Sequence, residues 1–439
     1  MIYCNKGQSR LLLYAMCVFV ASLPFYGYSF LNVAGRGLLR PDWMGVVLVI
    51  AVFGLRFLLN AETVRVGRLG FAVLAFNAVA LLSITPPLLE GAPSLADFFS
   101  KYAQVLMLSV FFFCFSSARL EPTSLKRIAR VWILVAVVVA VYGIYQSFAR
   151  NLDLPFAYNS ITNPTMGMEQ GIASTGSKAG SYARPSSFFS EPSYLASYLL
   201  GPIFFMLYLL LNRDGKFYIF GRRQSWLALG IMTLAFVLAF SLAGFMVALL
   251  LAPVLVVQGR LRINLKAIGL AAALVLVIAL ASGFTGFASY FERIPNELLR
   301  VIGDPHSVAG SSSGIRLARA QATLGVGLDN PVLGVGINMY PGYMEEYIPS
   351  WFDIDWPINI AHGMWITAFA EMGLPGLILL LLLWLAPAPF LYRAMRHRMG
   401  LGGELPTLCG GLYFVLLAEI IRGLGSGGYT QTFRWFYLA

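Results

Sequence analysis

Apolar stretches of roughly 20 residues recur along almost the whole chain, and no other feature limits its fold as tightly. They lie near 11–33, 43–59, 68–87, 98–117, 129–149, 192–211, 225–240, 242–258, 264–283, 362–385 and 405–422. Runs of this length match the hydrocarbon thickness of a bilayer, where helices satisfy their own backbone. The pattern therefore predicts an all-α polytopic membrane protein with about 11–12 transmembrane helices. The least regular part is 225–258, one run that spans twice only if it turns near "SLAG", residues 241–244.

A mean hydropathy of +0.74 with only 12% charged residues excludes a soluble multidomain protein. The first run follows Lys6 and Arg10 without a clear cleavage site, so it reads as a retained span rather than a signal peptide. The net charge of +11 does not point to nucleic acid. More than half of the 31 Lys and Arg residues crowd into alternate short connections, such as Arg119 to Arg130, Arg213 to Arg223 and Arg393 to Arg398. That bias predicts a cytoplasmic amino terminus and, with eleven spans, an outer carboxyl terminus. Cys4, Cys17, Cys114 and Cys409 lack metal-ligand spacing and read as small buried hydrophobes.

Five segments follow from this order: amino-terminal spans (1–150), a first long outer loop (151–191), central spans (192–283), a second long outer loop (284–361) and carboxyl-terminal spans (362–439). Within the second loop, Gly314 to Leu328 reads as a short amphipathic helix.

Three stretches on the outer side carry the polar residues best suited to chemistry. In "ARPSSFFSEPSY" (183–194), Pro185 steers Arg184 away from helix, and Pro192 can open a helix at its first position. A guanidinium beside a helix amino terminus suits a phosphate or diphosphate, and Glu191 either caps that helix or orients Arg184. An interfacial anchor is the competing reading of Arg184. In "SGIRLARAQATLGVGLDNPVLGVGINMY", Arg316 and Arg319 share a helix side and form either an anion clamp or a solvated basic face. In "NIAHGMWITAFAEMGLPGL", His362 stands at the outer mouth of a span as a base or an interface residue. Glu371, about two and a half turns deeper, needs a partner or a cavity. No zinc ligand cluster, Walker loop or Asp-x-Asp motif accompanies these stretches, so the expected chemistry uses no metal and no cofactor.

The ordered set "RPSSFFSEPSYLASYL", Arg316 ahead of "NPVLGVGINMY", and "AHGMWITAFAEMGLPGL" resembles the O-antigen ligase and Wzy-type polysaccharide polymerase superfamily. The likeness covers Arg184 to Leu380; Gly363 departs from it, since Asn is frequent after the histidine. The resemblance implies a GT-C-like, inverting, metal-independent glycosyltransferase of the bacterial inner membrane. Its substrates would be an undecaprenyl-diphosphate-linked glycan donor and a glycan acceptor at the periplasmic face, with membrane lipid and a chain-length regulator protein as further partners. It would place Arg184 and Arg316 on the donor diphosphate; Arg319 is a further candidate for that site only by its spacing from Arg316. His362 would sit near the acceptor hydroxyl as base or positioning group, with Glu191 or Glu371 as the reserve base; Tyr340 and the other aromatics of the second loop either line a sugar groove or form an interfacial belt. Polymerase is the preferred reading, with O-antigen ligase and a lipid-linked glycan transporter as alternatives.

Overall fold

The computed structural model describes residues 6–33, 36–37, 39–90, 95–118, 120–150, 152–159, 162, 178–179, 182–212, 218–258, 303, 312–352, 363–397, 404–425 and 428–439. Among the described residues, regular structure is helical apart from two short antiparallel ladders, β1 (Asn32–Val33) with β2 (Arg36–Gly37) and β3 (Lys178–Ala179) with β4 (Tyr182–Ala183). Among the described residues, seven helices are long and apolar enough to cross a membrane, and two shorter apolar helices, Arg10–Phe25 and Leu242–Gln258, accompany them. The fold is thus that of an all-α polytopic membrane protein. The run expected to span at 264–283 lies outside the described residues.

The chain forms two compact units, each assembled from separated segments. The first comprises Met1–Thr63, Ala118–Phe291 and Ala388–Glu419. Its helices include α1 (Lys6–Ser22), α2 (Pro41–Leu58), α6 (Pro122–Ala149), α7 (Pro192–Leu211), α8 (Arg222–Leu238) and α9 (Leu242–Gln258). Helices α2, α6 and α7 each begin on a proline, whose missing N–H costs nothing in the first turn. Helix α1 packs against α2 and α6, and α7 packs against α6, α8 and α9. Small residues permit close approach: a Cβ on Gly45 of α2 would stand 2.6 Å from Ser22 Oγ at the end of α1. The 225–258 run does break in two, at Ala239–Ser241, meeting the stretch the sequence indicated at Ser241. Phe240 there has φ +45°, and its ring is buried with Leu238 against Ile144, Leu234 and Val237.

The second unit comprises Val64–Ser117, Glu292–Pro387 and Ile420–Ala439. It holds α3 (Arg68–Leu82), α4 (Thr85–Glu90), α5 (Leu95–Ser117), α10 (Ser312–Asp329), α11 (Met364–Leu385) and α14 (Thr432–Leu438). Two further helices, α12 (Pro387–His397) and α13 (Leu405–Arg422), complete the chain order. Helix α11 packs on α3 and α10, while α5 packs on α3 and α14. A buried polar stitch joins α3 to α5, Asn77 Nδ2 donating to Ser109 Oγ at 2.7 Å. Such a pair satisfies groups that would be costly in hydrocarbon. The expected amphipathic helix in the second loop is α10; Ala318, Ala322 and Val326 form its buried face.

Candidate functional site

In the first unit the Arg184 loop is held from below by α6. Two prolines bracket "SSFFS", so its backbone cannot continue either flanking element, and its polar groups are buried. They are satisfied by side chains. Gln146 Oε1 accepts from the N–H groups of Ser186 (3.2 Å) and Ser187 (2.7 Å), and Asn159 Nδ2 donates to Ser187 O at 2.8 Å. Ser187, at φ +52°, also donates its hydroxyl to Val139 O. Arg150 completes the cradle, donating to Arg184 O (2.5 Å), Ser186 Oγ (2.9 Å) and Ala157 O (3.0 Å). Phe188 stacks on Tyr142 at 4.8 Å between ring centroids.

Arg184 is half-buried, and one of its guanidinium N–H groups donates to Phe240 O at 3.1 Å. That carbonyl lies in the break after α8, so Arg184 meets the negative end of a helix as well as heading the loop before α7. Glu191 occupies the N-cap position of α7 but makes no side-chain cap bond; its Oε2 accepts from Ser193 Oγ at 2.9 Å.

In the second unit the two glycine-rich signatures fold onto one another. Residues 331–338 run along a kink in α11, where Gly373 has φ +64°. Val335 N donates to Ala370 O (2.9 Å), Gly336 N to Glu371 O (3.0 Å) and Leu374 N to Pro331 O (2.8 Å). A Cβ on Gly373 would stand 2.6 Å from Pro331 O. One on Gly334 (φ +66°) would press into the backbone of Ala370, Glu371 and Met372. Both positions therefore require glycine.

Glu371 is 1% exposed, and its carboxylate is engaged by the N–H of Asn338 (Oε1, 2.8 Å) and the hydroxyl of Tyr429 (Oε2). Lys101 Nζ lies 6.0 Å from the Tyr429 ring centroid. Burial, and then the neighbouring Glu371 charge, hold the Tyr429 phenol well above its ordinary pKa. Tyr340 is likewise buried, in the cluster of Ala318, Val326, Val335 and Met344. The positions expected to contact substrate at 340 and 371 are thus packed inside this unit, fixing the loop between them.

Arg316 and Arg319 lie half-buried along one flank of α10. Among the described residues, no carboxylate, carbonyl or ring partners the Arg316 guanidinium. Gly325 and Gly327 admit the rings of Tyr347 and Phe369, anchoring the helix that carries these arginines. Tyr347 also donates to Asp329 Oδ2 at 2.7 Å. That bond, then burial, pushes its pKa up to about 12. His362 lies outside the described residues; the next residue, Gly363, caps α11 with φ +115°, and Met364 N donates to Gly423 O.

Sequence reasoning missed Arg150, Gln146 and Tyr429. The first two stand at the end of an apolar run, where snorkelling is the ordinary explanation. Tyr429 is 58 positions from its partner in sequence.

Helices of membrane-spanning length and buried polar groups matched inside each unit define a polytopic helical membrane protein. Residues 227–381 match the family described as O-Antigen ligase. The match includes Arg316 and both glycine signatures, and Arg184 lies upstream of it. No curated protein matches the chain.

Proposed function

We propose that this protein is a membrane glycosyltransferase that polymerises undecaprenyl-diphosphate-linked oligosaccharide units at the periplasmic face of the bacterial inner membrane. In this reading the amino terminus is cytoplasmic, the chemistry is metal-independent and the anomeric centre inverts. An acceptor hydroxyl attacks the anomeric carbon, the bond from that carbon to the diphosphate oxygen breaks, and the leaving undecaprenyl diphosphate gains negative charge. Arg184 and Arg316 stabilise that charge, with Arg319 beside Arg316, and His362 takes the hydroxyl proton. Glu191 holds the start of α7 and is the reserve base, whereas Tyr340 and Glu371 act by positioning.

The observation that carries this reading is Arg316. A well-packed helix holds its guanidinium half-buried without a counter-charge among the described residues, an arrangement that an anionic ligand completes. A second reading, transfer of the lipid-linked glycan to lipid A core, is favoured by the description of the matched family.

The test is an assay of the purified full chain with a synthetic polyprenyl diphosphate oligosaccharide in EDTA, with and without lipid A core. Longer lipid-linked glycans without core support polymerisation, and product only with core supports ligation. No product from several donors removes the enzyme reading in favour of transport. Arg184→Ala and Arg316→Ala are each expected to lower turnover about 10²-fold at unchanged protein level, as when a charge-stabilising donor is removed elsewhere.

A further inference from the structure

One face of α6 carries large apolar side chains that the other described residues leave wholly or partly exposed: Leu134, Val138, Val141, Tyr145 and Phe148. Their spacing of four and three places them in one narrow stripe along the helix. Helix α6 has 28 residues and is about 42 Å long, against ~30 Å of hydrocarbon, so its end reaches the level of the lipid headgroups. The stripe does not stop there. Leu152 N donates to Phe148 O at 3.0 Å, extending the ladder past the helix, and Leu152 is 65% exposed.

The segment that follows is built rather than loose. Leu154 N donates to Ala149 O, Tyr142 Oη to Phe156 O (3.0 Å), Tyr145 Oη to Pro155 O, and Arg150 Nε to Ala157 O (3.0 Å). Yet this well-bonded turn leaves Phe156 80% exposed, at φ +58°, a conformation that a bulky side chain rarely adopts. Leu154 and Tyr158 are exposed beside it, and the Arg150 guanidinium lies 5.2 Å from the Tyr158 ring. Strain retained to present an aromatic ring outward requires something to receive the ring.

We infer that residues 152–158 are a preformed interfacial anchor whose partner is the lipid of the bilayer, Phe156 and Leu152 entering the acyl-chain boundary. Continuity with the lipid-facing stripe of α6 identifies this occupant, and the aromatic-rich composition fits the interface. Arg150 ties the anchor to the Arg184 loop, since one guanidinium donates to both Ala157 O and Arg184 O. The membrane surface thereby sets the level at which that loop stands. This inference does not depend on the glycosyl-transfer reading.

The test uses the full chain carrying Phe156→Trp, reconstituted in phosphatidylcholine–phosphatidylglycerol vesicles, and reads the emission added over the parent protein. Vesicles brominated on the acyl chains should remove most of the added emission, and aqueous iodide should remove little. Leu152→Trp, at a position with ordinary backbone geometry, serves as an independent second site and should behave alike. Added emission quenched by iodide and untouched by bromine at either site would overturn the proposal. So would shielding that appears only when polyprenyl phosphate is added to the vesicles, because the surface would then belong to a substrate tail.

Discussion

Gly334 and Gly373 show what single residues decide here. Each sits at positive φ with the other strand of chain pressed against its α-carbon, so a methyl group at either would meet backbone rather than a movable side chain. Gly334→Ala is expected to cost about 4 kcal/mol or to abolish the folded unit, read as thermal unfolding in detergent. Gly342→Ala, where a Cβ meets nothing within 4 Å, should stay below about 1 kcal/mol and serves as the control. The sequence shows "NPVLGVG" and "EMGLPG" as two glycine-bearing stretches, but it cannot say that they approach one another. That pairing is tertiary and has no signature in either stretch alone. The place of Arg184 ahead of a helix start was legible because Pro185 and Pro192 follow it. Arg150 was not, because nothing local distinguishes an inward-turned arginine from one that snorkels.

Among the elements, long apolar helices were the most legible feature, since hydropathy and length alone determine them. The start of α7 at Pro192 was readable from its proline, and α10 from its period. The break between α8 and α9 was placed by "SLAG". The bend covers Ala239–Ser241, meeting that stretch at Ser241; burial of the Phe240 ring and the Arg184 bond to its carbonyl offset an unfavourable φ. Helix α10 carries a titratable element contact. Tyr347 is held protonated by Asp329, with its pKa raised from 10.0 to about 12. A folded pKa above the unfolded one contributes stability that is fully present below pH 10 and is lost as pH rises towards 12. Thermal unfolding measured between those values should therefore fall more steeply in the parent than in Tyr347→Phe; parallel curves would remove Tyr347 from the account.

At the scale of the molecule, two units assembled from interleaved segments could not be read from the order of spans, which suggests a linear series of membrane segments and loops. What joins the second unit is polar: a carboxylate from α11, an N–H from the glycine-rich loop and a phenol from the segment before α14. Tyr429→Phe should destabilise this unit by about 2 kcal/mol, since it strips a bond from a buried carboxylate and leaves the charge less satisfied. Limited proteolysis should show new cuts within 312–352 while α6 and α7 stay protected. The same contact has a consequence for biogenesis. Because synthesis runs from the amino terminus, Glu371 is made 58 residues before Tyr429, and through that interval the nascent chain holds this carboxylate without its phenol partner. Completion of the second unit therefore waits on translation of Tyr429, and a chain interrupted between these two residues carries that buried carboxylate with one partner fewer.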